Sequence, residues 1–378
     1  MADITPDITA RPASLFESKQ AIIKVIGVGG GGGNAVNHMA KSNLKDVEII
    51  AVNTDTQDLR RNLAMRLVQI GSELTKGLGV GRDPVKGRKA AEESYEELKS
   101  IIAPCDLLFV TAGMGGGTGT GAAPYIAKLA KEEMGDKILV VGVVTRPFSS
   151  EGYLCAEIAD AGIQEMQRYV DCMIIIPNEK LLANTTSRTS SRAAFAMVDE
   201  VLLQAVRGIS DVITTSGEQN IDFNDIYRIM HKSEKALIGI GEASGPGRHL
   251  EALKEAISSP LLENADIGGS KGFIVHFLAA DPGLQENMEV LECIRKYASA
   301  DSIIKFGCSY DPTMQERYRV TLIAAGFDSQ KASRFMNRAR PLETLTPVGK
   351  LTPEDRFADF RPKNNLDVPA CLRRKKRV

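Results

Sequence analysis

Residues 27–36 read GVGGGGGNAV, directly after an apolar run at 22–28 and directly before a helical pattern. Glycines at such a junction let backbone N–H groups approach an anion without obstruction by Cβ, and a helix N-terminus adds partial positive charge. Through Gly27, Gly29 and Gly32 the stretch also satisfies G-x-G-x-x-G, with Asp55 after the next strand. That motif alone fits a dinucleotide-binding oxidoreductase equally well. A second loop, TAGMGGGTGTGAAP at 111–124, repeats the strand–glycine–helix arrangement. Two anion-cradling loops at one sheet edge suit a nucleotide with several phosphates, whereas a Rossmann enzyme needs one. No G-x-x-x-x-G-K-[ST] occurs, which excludes the ordinary phosphate-loop NTPases. Charge stabilisation then falls to backbone amides, the Thr118 and Thr120 hydroxyls and a Mg²⁺ ion.

A third constellation is NIDFNDI at 220–226, with Asp222 and Asp225 three residues apart where a helix begins. Asp222 suits an N-cap there. A carboxylate pair can also orient water, and the spacing does not choose between the two roles.

The elements that must hold these loops follow from the apolar rhythm. Short Val- and Ile-rich runs at 22–28, 47–52, 107–111, 138–144 and 173–176 alternate with helical patterns at 34–42, 84–101 and 122–133. Near-continuous apolar strands between amphipathic helices predict a doubly wound α/β fold with a parallel sheet covered on both faces. Residues 21–190 make up this nucleotide-binding part. Residues 191–216 form one long helical pattern, apolar around much of its circumference, read as a buried connecting helix. Strand patterns at 236–243, 273–279, 303–309 and 318–325, with helices near 248–258 and 285–299, predict a smaller α+β domain over 217–327. Polar, proline-containing sequence at 1–20 and 328–364 reads as a disordered N-terminus and a flexible linker, and 365–378 as a separate terminal peptide.

Composition narrows the classes. Hydrophobic residues are 43% and charged residues 25% of 378, as in soluble globular proteins. No apolar run approaches the roughly 18 residues that span a bilayer. The opening MADITPDITA lacks a basic region followed by an apolar stretch, so no secretory signal is expected and the chain is placed in the cytoplasm. Six cysteines without C-x-x-C and four scattered histidines support neither a disulfide framework nor a protein-held metal site. The net charge of −1 includes five basic groups in RRKKRV at 373–378, leaving −6 on residues 1–372. A mildly acidic body argues against nucleic acid as a partner.

The run GGGTGTG, together with IKVIGVGGGGGNAVNHM, AVNTD, TKGLGVG, VTRPF, IPNEKLL and AISSPLL, resembles the tubulin/FtsZ GTPase family on its bacterial cell-division branch. The resemblance covers roughly residues 22–327 and the final peptide. It implies GTP and GDP as ligands with Mg²⁺, head-to-tail polymerisation of the chain with itself, and a role in the cytokinetic ring at mid-cell. Carried over by position, Gly30, Gly31, Gly32, Gly33 and Asn34 form the first nucleotide loop, and Gly117, Thr118 and Gly119 the main phosphate loop. Glu151 holds the ribose; Phe195 stacks on the guanine and Asp199 hydrogen-bonds it. A carboxylate there suits the N1–H and N2–H₂ donors of guanine. The resemblance also resolves the 217–226 loop, which is inserted into the neighbouring subunit's site. There Asp222 and Asp225 orient and polarise the attacking water, with Asn220 assisting. LDVPACLRRKKRV resembles the family's recognition peptide. Through residues 366–377 it would engage a membrane adaptor such as FtsA, and assembly inhibitors such as MinC are further expected partners.

The chain departs from the pattern at Cys155, where the family carries an arginine facing the phosphates, and at Cys371, where it carries an aromatic. The first departure motivates an alternative: a nucleotide-binding structural filament of the same fold with weak hydrolysis.

Overall fold

The computed structural model describes residues 21–42, 44, 46–182, 190–215, 217–259, 270–299 and 301–327. The expected N-terminal segment 1–20, linker 328–364 and terminal peptide 365–378 lie outside the described residues.

The strands are β1 (Ile23–Val28), β2 (Val47–Asn53), β3 (Arg66–Gln69), β4 (Leu107–Gly113), β5 (Leu139–Arg146), β6 (Cys172–Pro177), β7 (Gly217–Gln219), β8 (Glu234–Ser244), β9 (Gly272–Ala279), β10 (Ile303–Tyr310) and β11 (Arg317–Ala325). The helices are α1 (Gly29–Lys41), α2 (Thr56–Arg60), α3 (Ser72–Thr75), α4 (Pro84–Glu93), α5 (Tyr95–Ile102), α6 (Thr118–Met134), α7 (Tyr153–Gln167), α8 (Asn178–Leu182), α9 (Ser191–Thr214), α10 (Phe223–Met230), α11 (Arg248–Ile257) and α12 (Leu284–Tyr297).

The strands form one sheet in the order β3-β2-β1-β4-β5-β6-β8-β11-β9-β10-β7. Its first six strands are all parallel, as the near-continuous apolar sequences of β1, β2, β4, β5 and β6 predict. Alternate β1 residues serve opposite faces. Ile23 and Val25 join a core made with α1 and α9, while Ile26 and Val28 join one that includes residues of α4, α5, α6 and α7. Parallel pairing of Cys172 and Met173 with Glu234 and Lys235 continues the sheet into β8. Beyond it β11 runs antiparallel to β8 and β9, covered on one face by α11 and α12.

Strand order reverses between β1 and β4, so a crevice opens beyond their carboxyl ends, where open α/β sheets bind ligands. The two glycine loops follow these two strands.

Four expectations are adjusted. The first glycine run is itself helical, because α1 starts at Gly29 and not near Asn34. The 84–101 helix breaks at Ser94 into α4 and α5. Strands β3 and β7 carry too few apolar residues to be recognised from pattern. Helix α9 is buried along one side from Val198 onward, whereas at its start Arg192, Ala193, Ala194 and Phe195 are partly or fully exposed. No described helix is long and apolar enough to cross a membrane.

Candidate nucleotide site

The crevice is a cleft of about 270 Å³. Its floor comes from Gly31 and Asn34 of α1, from Gly113 at the end of β4 and from Met114, Gly115 and Gly116 after it. Thr145, Pro147, Glu151 and Cys155 form one wall, and Asn178, Phe195, Val198, Asp199 and Leu202 close the far end. Gly30, Gly33 and Asn34 line a smaller adjoining hollow with Asn53, Asp58 and Asn62.

Gly32, Gly117, Thr118 and Gly119 are buried and line neither space. They let the loops close on one another. A Cβ on Gly32 would stand 2.4 Å from the Thr111 carbonyl oxygen, and one on Gly117 would stand 2.9 Å from the Asp83 nitrogen. The 17-residue α6 starts at Thr118, directly behind the loop, with no side-chain cap on its leading amides. A helix N-terminus in that state attracts anions.

The threonine hydroxyls are engaged otherwise than the sequence suggested. Thr120 Oγ1 accepts from the Gly115 amide at 3.0 Å, and Thr118 Oγ1 lies 2.8 Å from Thr54 Oγ1. They fix the loop's shape and tie it to the segment after β2. Gly115 itself has φ +100°, and a Cβ there would meet Cys155 Sγ at 2.6 Å.

The far end differs in chemistry. Phe195 is 51% exposed and meets Phe148 edge-on, with ring centroids 5.7 Å apart, so its face is available for stacking. One turn on, burial raises the Asp199 carboxyl to about 6, opposed by the nearby His38. The Asn178 side-chain oxygen is buried and has no hydrogen-bond partner among the described residues. Glu151 is half committed: Oε1 accepts from the Phe148 amide at 3.0 Å, and Oε2 lies 3.9 Å from Cys155 Sγ. Burial, with Glu151 adding, raises the Cys155 thiol above its usual value, while Arg82 opposes.

Sequence reasoning left Asn178 and Arg82 unassigned. Asn178 directly follows β6, and the end-of-strand position marks it. Arg82 sits in an irregular loop with no periodicity to flag it.

Asn220, Asp222 and Asp225 are absent from the cleft lining. Asp222 is an N-cap, its Oδ1 accepting from the Asp225 amide at 2.8 Å. Asp225 pairs with Lys305 Nζ at 2.8 Å. Along α9, Phe195 and Thr214 are separated by roughly 28 Å at 1.5 Å per residue, and the loop lies beyond that.

A parallel sheet with two glycine loops at its switch point and a carboxylate-bearing far end defines a nucleotide-binding protein of the doubly wound class. The family model described as "Tubulin/FtsZ family, GTPase domain" matches residues 22–186, and "FtsZ family, C-terminal domain" matches 234–328. The chain is 48% identical to the cell division protein FtsZ of Pseudomonas aeruginosa over 359 residues, covering 94% of this chain and 90% of the relative. It is 46% identical to that of Azotobacter vinelandii over 332 residues, 88% and 83% of the two chains. Among solved structures, an empty FtsZ dimer from M. jannaschii superposes with a TM-score of 0.77 at 36% identity, covering 84% of this chain and 91% of that one. The chain belongs to the Tubulin/FtsZ family and is a GTPase. The oxidoreductase reading of G-x-G-x-x-G is thereby set aside.

Proposed function

We propose that this chain polymerises head to tail into the filaments of a cell-division ring, and that its GTP site is completed by the loop of the next subunit. The observation that carries this reading is the separation of the two functional regions. Asp222 and Asp225 lie beyond one end of α9, whereas Phe195 and Asp199 lie near the other, roughly 28 Å away along the axis. A single chain keeps them apart, and a second copy stacked along that direction would bring them together. Such a contact is heterologous, and repeated without closure it yields a filament.

Within the cleft, the amides of 30–34 and 115–119 receive the phosphates, and Glu151 holds the ribose. Phe195 stacks on the base, and Asp199 accepts from its N1–H and N2–H₂. The unpartnered Asn178 oxygen supports recognition of the same donor-rich edge. Phosphoryl transfer needs positioning and charge neutralisation more than covalent chemistry. Asp225 of the incoming subunit would accept the proton of the attacking water as it adds to the γ-phosphorus and GDP leaves. Asp222 would hold the loop in register through its cap, and Asn220 would orient the water.

Among the described residues no cluster of three His, Cys, Asp or Glu side chains offers a metal cage. That fits Mg²⁺ bound mainly by phosphate oxygens and water, where it would neutralise charge developing on the phosphates. Further parts of the proposal are a cytoplasmic location at mid-cell, an adaptor such as FtsA bound through 366–377 and regulators such as MinC.

The test is GTP turnover per subunit as a function of protein concentration. The proposal requires a threshold below which turnover nearly stops while GTP binding persists. A rate per subunit independent of concentration would sink it.

A further inference from the structure

Described residues of the cleft wall carry two carboxylates, Glu151 and Asp199, and one cation, Arg82. A nucleotide triphosphate brings several more negative charges into that space. Backbone amides give partial charges only, and the Cys155 wall is neutral, its thiol raised by burial. Beside the Mg²⁺ that the nucleotide would bring, the side-chain contribution to charge balance in the cleft therefore turns on Arg82.

Three observations bear on its role. Arg82 is solvent-exposed, and no described residue forms a hydrogen bond or ion pair with its guanidinium, although carboxylates are plentiful on this chain. Its backbone is left-handed at φ +63°, directly after Gly81 at φ +62°. A residue with a Cβ adopts that conformation at a cost, and such residues cluster at ligand clamps. Its position is also held from behind: a Cβ on Gly117 would stand 3.2 Å from the Arg82 carbonyl carbon and 2.4 Å from Val80 Cγ2. The loop bearing Arg82 is thus packed against the phosphate loop itself, and Arg82 and Cys155 line the same cleft.

Resting on the reading of the cleft as a guanine-nucleotide site, we propose that Arg82 is the phosphate-neutralising side chain of this chain and supplies the cation that the Cys155 wall lacks. The planar guanidinium offers paired donors matched to phosphate oxygens, which an ammonium does not reproduce. It would close over the phosphates from the α4 side as they settle on the 115–119 amides.

The test is a binding cycle on nucleotide-stripped full chain below its assembly threshold, with displacement of a fluorescent guanine nucleotide by GTP as the readout. Arg82→Ala is expected to weaken GTP binding by about tenfold or more, the scale of a lost charge-assisted hydrogen bond. Arg82→Lys should recover part of the loss. Cys155→Arg should recover most of it in the Arg82→Ala background and add much less to the unsubstituted chain, because each cation then serves the same phosphates. Arg82→Ala binding GTP within twofold of the parent would overturn the proposal. So would a Cys155→Arg gain of equal factor in both backgrounds. If the parent chain itself fails to bind GTP, the nucleotide reading of the cleft falls and takes this proposal with it. Unchanged thermal midpoints without ligand exclude a folding defect at this exposed position.

Discussion

The nucleotide cleft and the 220–225 loop are both rich in polar groups, yet they are prepared differently. In the cleft, groups are left wanting: Asn178 keeps a buried oxygen without a partner, Asp199 is pushed up to about 6 by burial, and Phe195 presents half its surface. In the loop, the same kinds of groups are satisfied within the chain. Asp222 caps α10, and Asp225 rests on Lys305. A region built to receive a small ligand is strained toward it beforehand, whereas one that acts on a neighbour must remain stable until the neighbour arrives. The contrast supports the proposal that one region binds and the other drives turnover.

The sharpest way to break the contrast is Asp225→Ala. Turnover should fall by about 10²-fold or more, the range for a lost general base, with GTP affinity unchanged. Equal losses in binding and turnover would erase the distinction between the regions.

Next come the glycines of α1. Gly32→Ala sets a Cβ 2.4 Å from a backbone oxygen, and about 1–3 kcal/mol of destabilisation is expected from such overpacking. At Gly33 the nearest atom is the tip of Asn62 at 3.6 Å, so Gly33→Ala should stabilise or be neutral, alanine favouring a helix by up to about 1 kcal/mol. Thermal unfolding of the pair tests whether the run is a packed helix start or a loose loop.

The pH dependence is set by Asp199. Its carboxylate must be charged to accept from guanine, so GTP affinity should fall as pH drops through about 6, approaching tenfold per unit below that. Asp199→Asn should flatten the profile. For the free chain the sign is opposite. A raised acid contributes stability below its ordinary 3.8 that is lost as pH rises through about 6, so added nucleotide should protect most above that point.

The smallest effect separates the two duties of Asp222. Asp222→Ser retains a capping oxygen, whereas Asp222→Ala loses a cap worth about 1 kcal/mol. If Asp222 serves only as the cap, the serine variant keeps full turnover; a role at the water lowers turnover in both.

Much of this was legible beforehand, for physical reasons. Strand-length apolar runs alternating with amphipathic helices predict buried parallel strands, and β1, β2, β4, β5 and β6 fall within two residues of their pattern. The second glycine loop separated a polyphosphate site from a dinucleotide fold whose strand order, 3-2-1-4-5-6, is the same. What escaped notice depends on neighbours distant in sequence. Arg82 reaches the cleft because Gly117 admits the loop behind it, and Asn178 matters because its oxygen is orphaned after folding. The helical start at Gly29 was hidden because glycine propensity argues against it, and packing against Thr111 and Gly113 overrides that preference. The sequence left open whether Asp222 caps a helix or orients water, and its cap is now seen.

The central claim, that one subunit's cleft is completed by another's loop, is tested most directly by mixing two variants. Asp199→Ala is impaired in the cleft with an intact loop, and Asp225→Ala has an intact cleft with an impaired loop. At a GTP concentration where each alone is nearly idle, an equal mixture should recover turnover toward about a quarter of the parent rate, because that fraction of random head-to-tail junctions joins an intact cleft to an intact loop. Turnover in the mixture no higher than the mean of the separate variants would contradict the shared site.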